Sequence, residues 1–149
     1  MSRRTSRPRR PAAPQARTPR ITPEAPCPCG LPAVYGECCG RLHAGRAAAP
    51  TCEVLMRSRY AAFVVRDAGY LLRTWHPETR PPAVDFDPAT RWTGLDILET
   101  TEGSAFHTTG TVTFRARYTD GGGPGSLHEK SRFVRHEGAW VYEEAVFAE

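Results

Sequence analysis

Apolar residues recur along this chain with two different periods, and the change of period divides it. Leu55, Met56, Tyr60, Phe63 and Val64 return at spacings of three and four, the stripe of an amphipathic helix. Thr51 stands just ahead of them, where its hydroxyl can accept from the first free N–H groups of that helix. Asp67 and Gly69 interrupt the stripe. Leu71, Leu72 and Trp75 then predict a second short helix that ends before Pro77. Residues 77–90, with Pro77, Pro81, Pro82 and Pro88, read as loop.

Beyond the loop the period falls to two. Val112, Phe114, Ala116 and Tyr118 alternate with Thr111, Thr113, Arg115, Arg117 and Thr119, which predicts a strand with one face buried. Asp120 and the run Gly121, Gly122, Gly123 mark a hairpin turn. Residues 126–135 and 139–147 supply two more strands, divided at Glu137-Gly138, and an earlier strand covers residues 91–100. Helices followed by a run of antiparallel strands predict an α+β arrangement with the helices on one side of the sheet.

The alternation also assigns faces. Leu127, Glu129, Ser131 and Phe133 share one side of their strand, and the two large apolar residues turn that side inward. His128, Lys130 and Arg132 then face outward. An inward carboxylate calls for a partner or a task. Arg59 lies four residues after Leu55 and four before Phe63, on the apolar stripe of the helix. Two readings follow for Glu129. It forms a buried pair with Arg59, or it is a general base or ligand anchor in a pocket walled by Tyr60, Trp75 or Tyr118. Burial would raise its pKa and Arg59 would lower it.

Charge is spread unevenly. Arg3, Arg4, Arg7, Arg9, Arg10, Arg17 and Arg20 precede residue 26, with Glu24 the one acid there. Thirteen basic and fifteen acidic residues remain in the rest of the chain, so the pI near 9.0 describes the N-terminal segment rather than a basic globular face. That segment also carries Pro8, Pro11, Pro14, Pro19, Pro23 and Pro26 and almost nothing apolar, so residues 1–25 read as a disordered tail. Its charge suits weak, salt-sensitive contact with nucleic acid or anionic lipid, and the plainer reading is a solubilising extension with no partner. No apolar run has the length of a membrane span or the form of a secretory signal, which leaves the cytoplasm as the expected location.

Four of the five cysteines fall close together, as Cys27-Pro28-Cys29-Gly30 and, after a gap of eight, Cys38-Cys39-Gly40. Four thiols on a short turn-rich loop can make a closed tetrahedral zinc site. A disulfide between the halves would need an oxidising compartment, and the pairs Cys38–Cys39 and Cys27–Cys29 would close only with distortion. His43, four residues past Cys39, is an alternative ligand. Cys52 could be a reactive thiol at a helix start or a plain small residue. His76, before Pro77, fits a role capping the last carbonyls of its helix, and His107 and His136 fall in turn or edge positions.

The spacing C-x-C-x8-C-C resembles the SEC-C motif of SecA-type tails, over residues 26 to about 43. With it, Leu55-Met56-Arg57-Ser58-Arg59-Tyr60, Tyr70-Leu71-Leu72-Arg73-Thr74-Trp75-His76-Pro77, Trp92-Thr93-Gly94-Leu95 and Leu127-His128-Glu129-Lys130-Ser131-Arg132-Phe133 resemble the YchJ family. Some members carry a second cysteine motif near the C-terminus, and this sequence shows none up to Glu149. The resemblance implies an N-terminal SEC-C zinc motif at residues 26–45. It also implies a domain similar to nuclear transport factor 2 at residues 50–149, a curved sheet wrapped on helices into a cone. By the same resemblance the knuckle would dock a protein partner and the protein would serve as an adaptor, with a second copy of the chain (a homodimer) as an alternative partner. The alternative is a small-molecule enzyme of isomerase, dehydratase or hydrolase type, with Glu129 in the cone. A filled cone holding a charge pair would favour the adaptor, and an open one with Glu129 unpaired the enzyme.

Overall fold

Thr51 begins the long helix α2 (Cys52–Val65), its Oγ1 accepting the Val54 N–H at 3.2 Å. The computed structural model describes residues 21–149. A short helix α1 (Cys39–His43) precedes α2, and α3 (Ala68–Arg73) follows it. Arg66 ends α2 in the left-handed region, at φ 61° and ψ 48°, which turns the chain sharply. Asp67 then caps α3, its Oδ1 accepting the Tyr70 N–H at 3.0 Å. The residue that breaks the apolar stripe therefore starts the next helix.

Four strands make one antiparallel sheet in sequence order: β1 (Arg91–Glu102), β2 (Thr109–Asp120), β3 (Gly123–His136) and β4 (Ala139–Ala148). Asp120 pairs with Gly123 across a two-residue turn, with the Gly122 N–H on Asp120 Oδ1 at 2.8 Å. Glu137 and Gly138 both take positive φ, 53° and 86°, the demand of the tight turn joining β3 to β4. Irregular pairing at Trp92/Gly94 and Ile97/Glu99 in β1, and the extra residues Glu143 and Val146 of β4 opposite Arg132/Phe133 and Lys130/Ser131, bend the sheet. It curls far enough for α2 to touch β1, β2 and β4. The α+β architecture with helices on one side of the sheet is the one the two periods predict.

The main core joins Leu55, Met56 and Tyr60 of α2 to Val112 and Phe114 of β2, Phe133 of β3 and Trp140 of β4. Phe133, Leu55 and Val112 are fully buried, and each such side chain stabilises the fold by roughly 1.5–3 kcal/mol. At the helix start, the Cys52 N–H donates to the Gly103 carbonyl at 2.9 Å. A Cβ on Gly110 would sit 2.5 Å from the Gly103 Cα, so the helix and the β1–β2 connection meet too closely for any side chain there.

The sequence reading of residues 1–25 needs correction at its end. Residues 1–20 lie outside the described residues. The Tyr35 N–H donates to the Ala25 carbonyl at 2.7 Å and the Gly36 N–H to the Pro23 carbonyl at 2.9 Å, while Pro26 bridges Val34. Proline lacks an N–H but keeps its carbonyl, so a Pro-rich strand can still be held by the acceptor side of its backbone. Among the described residues no helix is long and apolar enough to cross a membrane.

Candidate metal centre and cone cavity

Cys27 and Cys29 lie on the first turn of the N-terminal loop, and Cys38 and Cys39 at the entry to α1. Gly30 holds the first turn at φ 93°. The four Sγ atoms fall within 4.8 Å of one another, with Cys29 and Cys38 at 3.6 Å, and none is in a disulfide. Tetrahedral coordination with metal–sulfur bonds of about 2.3 Å needs sulfurs roughly 3.8 Å apart, so this set fits a closed four-thiolate site. Crowding sets the protonation. Hydrogen bonds from Cys29 and Cys39 hold the Cys27 thiol down to about 2, whereas burial and then its bond to Cys27 push Cys38 up to about 12. Cys39 also rises, as a donor to Cys27 and Cys29. One thiolate is favoured and its neighbours serve as donors; ionising more of them calls for a cation.

The cysteine cluster is built into the domain. Cys27, Cys29 and Cys39 are buried against Ala61 of α2, and Arg57 Nη1 donates to the Cys29 carbonyl at 2.8 Å. His43 is not in the ligand set. Its Nε2 donates to the Ser58 carbonyl at 2.8 Å, so Nδ1 accepts the Tyr35 hydroxyl at 2.6 Å. Burial lowers the His43 pKa, and the Ser58 bond opposes this only in part. Tyr70 donates to Ser58 Oγ at 2.7 Å, since that hydroxyl spends its own proton on the Leu55 carbonyl. Arg73 closes the junction from α3 onto the His43 carbonyl at 2.8 Å.

The second candidate lies between α2 and the inner face of the sheet, where a cavity of about 130 Å³ opens. Of the residues singled out in sequence, Arg59, Tyr60, Trp75, Glu129 and Ser131 line it. Tyr118 does not. It packs edge-on against Trp92, with ring centroids 5.4 Å apart, over Gly125. Tyr142 and Trp92 complete the wall. Tyr142 was legible from turn arithmetic, because a two-residue turn that pairs His136 with Ala139 also sets Tyr142 opposite the inward Phe133.

Arg59 and Glu129 share this cavity without forming an ion pair. The guanidinium packs over the Trp75 and Tyr142 rings, 4.9 and 4.8 Å from their centroids, and the two rings meet edge-on at 5.2 Å. Its Nη1 donates to the Leu71 carbonyl at 2.8 Å and to Thr74 Oγ1 at 2.7 Å; Nε and Nη2 have no hydrogen-bond partner among the described residues. Burial lowers the Arg59 pKa to about 10, with Tyr142, Tyr70 and Glu129 opposing, so it stays charged at neutral pH. Glu129 Oε2 accepts the Ser131 hydroxyl at 2.5 Å and the Tyr142 hydroxyl at 3.3 Å. The buried pair expected between them is replaced by two aromatic faces and the exposed end of α3. Trp75 Nε1 is buried with no partner among the described residues.

The remaining candidates lie outside the cysteine cluster and the cavity lining. Burial pushes the Cys52 thiol up to about 12, which keeps it protonated. His76 accepts the Glu78 N–H instead of capping helix carbonyls, because its own backbone is drawn onto the Tyr142 carbonyl at 2.8 Å. His107 bonds Ser104 within its turn, and His128 stacks on Phe147.

Fold and cysteine cluster together define a class: a cone-type α+β domain carrying an N-terminal SEC-C knuckle. The family profile described as "YchJ, middle NTF2-like domain" matches residues 51–145, and the chain belongs to the YchJ family. A UPF0225 protein of Streptomyces coelicolor is 66% identical over 125 residues, covering 84% of this chain and 98% of that relative. Another, from Corynebacterium glutamicum, is 53% identical over 78% of this chain and 92% of its own length. The solution structure of a SEC-C motif containing protein from Rhodopseudomonas palustris superposes with a TM-score of 0.70 at 36% identity, covering 80% of this chain and 95% of that one. The crystal structure of a SEC-C motif containing protein from Psychrobacter arcticus gives 0.69 at 26% identity, covering 82% of each.

Proposed function

We propose that this chain is a zinc-stabilised small-molecule-binding protein, in which the cone cavity binds and the metal holds the knuckle to α2. One observation carries the reading: the cavity keeps a buried guanidinium with two unpartnered nitrogens, facing space instead of a carboxylate. Among the described residues the enclosed polar atom without a partner is Trp75 Nε1, so the two Arg59 nitrogens keep access to the cavity, where a ligand acceptor would meet them with charge-assisted hydrogen bonds. Zinc is the metal that four thiolates suit, and a closed set leaves no open position, so its role is structural. The open cone and the separation of Arg59 from Glu129 favour a small molecule over a purely structural core.

The test is a fragment screen by ligand-observed NMR on zinc-loaded protein, repeated with Ala116→Leu. Ala116 is buried on the cavity wall, and the larger side chain should fill the space. Fragments that bind wild type and lose binding in a folded Ala116→Leu protein support the reading. A screen without hits, or hits indifferent to the substitution, sinks it. A second reading, docking of a protein partner through the knuckle, is favoured by Leu31 and Val34, which stay 39% and 40% exposed beside the cysteine cluster.

A further inference from the structure

We propose that the cavity selects a neutral, planar, single-ring compound with a hydrogen-bond acceptor at one end and a donor at the other, of the hydroxyaryl amide or ketone class. The inference rests on the small-molecule reading above and specifies its ligand. Size limits the ligand to about one ring. The cavity measures about 130 Å³, and a dry apolar cavity of about 150 Å³ admits benzene.

Its walls favour an aromatic occupant. Tyr60 and Phe63 both meet Trp92 at ring centroids of 6.3 Å, and Phe114 adds a further ring from β2. Aromatic surfaces of this kind receive a planar ring through edge and offset contacts.

Charge sets the selectivity. Arg59 and Glu129 put one positive and one negative group on the same small cavity. An anion would gain from Arg59 and lose to Glu129, and a cation the reverse, so a charged ligand spends its desolvation cost for little return. A neutral ligand avoids that cost and still uses both groups, one as donor and one as acceptor.

Spacing sets the arrangement. Tyr142 stands between the two charges, with the Arg59 guanidinium over its ring and its hydroxyl on Glu129 Oε2. A ligand that meets both groups therefore lies alongside the Tyr142 ring. A carbonyl towards Arg59 and a hydroxyl towards Glu129, carried on one ring, use both.

The experiment measures calorimetric affinities of 4-hydroxybenzamide, 4-hydroxybenzoate and p-xylene for the full-length zinc-loaded protein, as wild type, Glu129→Gln and Ala116→Leu. Wild type should prefer the amide by roughly tenfold or more over the acid and over p-xylene, the size of one or two lost hydrogen bonds. Glu129→Gln keeps an acceptor but leaves Arg59 unopposed, so the preference between amide and acid should reverse. An acid preferred by wild type, p-xylene binding as well as the amide, or a ratio unmoved in Glu129→Gln would overturn the ligand class while leaving the cavity a binding site. If none of the three binds wild type, or Ala116→Leu binds them equally, the small-molecule reading falls and this inference with it.

Discussion

Acidification should destabilise this protein through His43, whose contacts fix both the sign and the ceiling of the effect. The ring is enclosed between Tyr35 and Tyr70, at centroid distances of 5.6 and 4.7 Å, and both nitrogens are bonded, to Tyr35 and Ser58. Burial holds its pKa below the ordinary value, although the Ser58 carbonyl, Asp67 and Cys27 favour the proton and Arg73 opposes it. Unfolded, His43 takes a proton near pH 6.5; folded, it resists. The unfolded state therefore binds more protons below pH 6.5, and stability falls with pH there by at most about 1.4 kcal/mol per pH unit. Above that pH the ring is neutral in both states and adds no slope. Urea unfolding followed by tryptophan fluorescence, from pH 8 to 5.5, would compare metal-loaded wild type with His43→Gln. Glutamine can keep a donor towards Ser58 and cannot titrate, and acid loss of metal from the cysteines is common to both proteins. Wild type should lose ground to the variant only below about pH 6.5. Parallel curves, or wild type gaining on the variant as pH falls, would refute the argument.

Because Glu129 does not bond Arg59, Glu129→Gln should cost under about 1 kcal/mol in the same assay, well short of the 3–5 typical of a broken buried pair; a loss in that higher range would mean the charges are paired in solution. Metal analysis of protein purified under reducing conditions should find about one zinc per chain, and chelation should expose the Cys27–His43 region to hydrogen exchange before the strands. Stoichiometry near zero would remove the zinc assignment. Gly110→Ala should cost roughly 2–4 kcal/mol by forcing backbone apart at Gly103, read as a fall in Tm, and an unchanged Tm would contradict the close approach. Cutting the chain after residue 25 should lower Tm relative to cutting after residue 20, since only the longer cut removes the Pro23 and Ala25 carbonyls that hold Tyr35 and Gly36.

Element types and faces were legible in the chain because they rest on local rules. Period 3.6 against period 2, the Thr51 cap, the Glu137-Gly138 turn and the inward set Leu127, Glu129, Ser131 and Phe133 each depend on a few neighbouring residues. The cysteine spacing picked out the four thiols that could hold a metal for the same reason. The helical turns at Tyr35–Glu37 and Cys39–His43, within and just after the cysteine loop, are too short to show a period in the sequence.

Partners chosen across the fold were decided only by the tertiary structure. Arg59 and Glu129 were placed inside correctly by periodicity, yet periodicity carries no distance between a helix and a strand. Thr74 and His76 bond the backbone of Tyr142, which brings the Trp75 and Tyr142 rings together edge to face, 4.9 and 4.8 Å from the guanidinium, and leaves room for the cavity. His43 likewise looked like a spare metal ligand, and the packing of α1 on α2 gave its nitrogens to Tyr35 and Ser58 instead. A side chain's face follows from its neighbours in sequence, whereas its hydrogen-bond partner follows from which elements pack together, and that second choice made both the cavity and its charge.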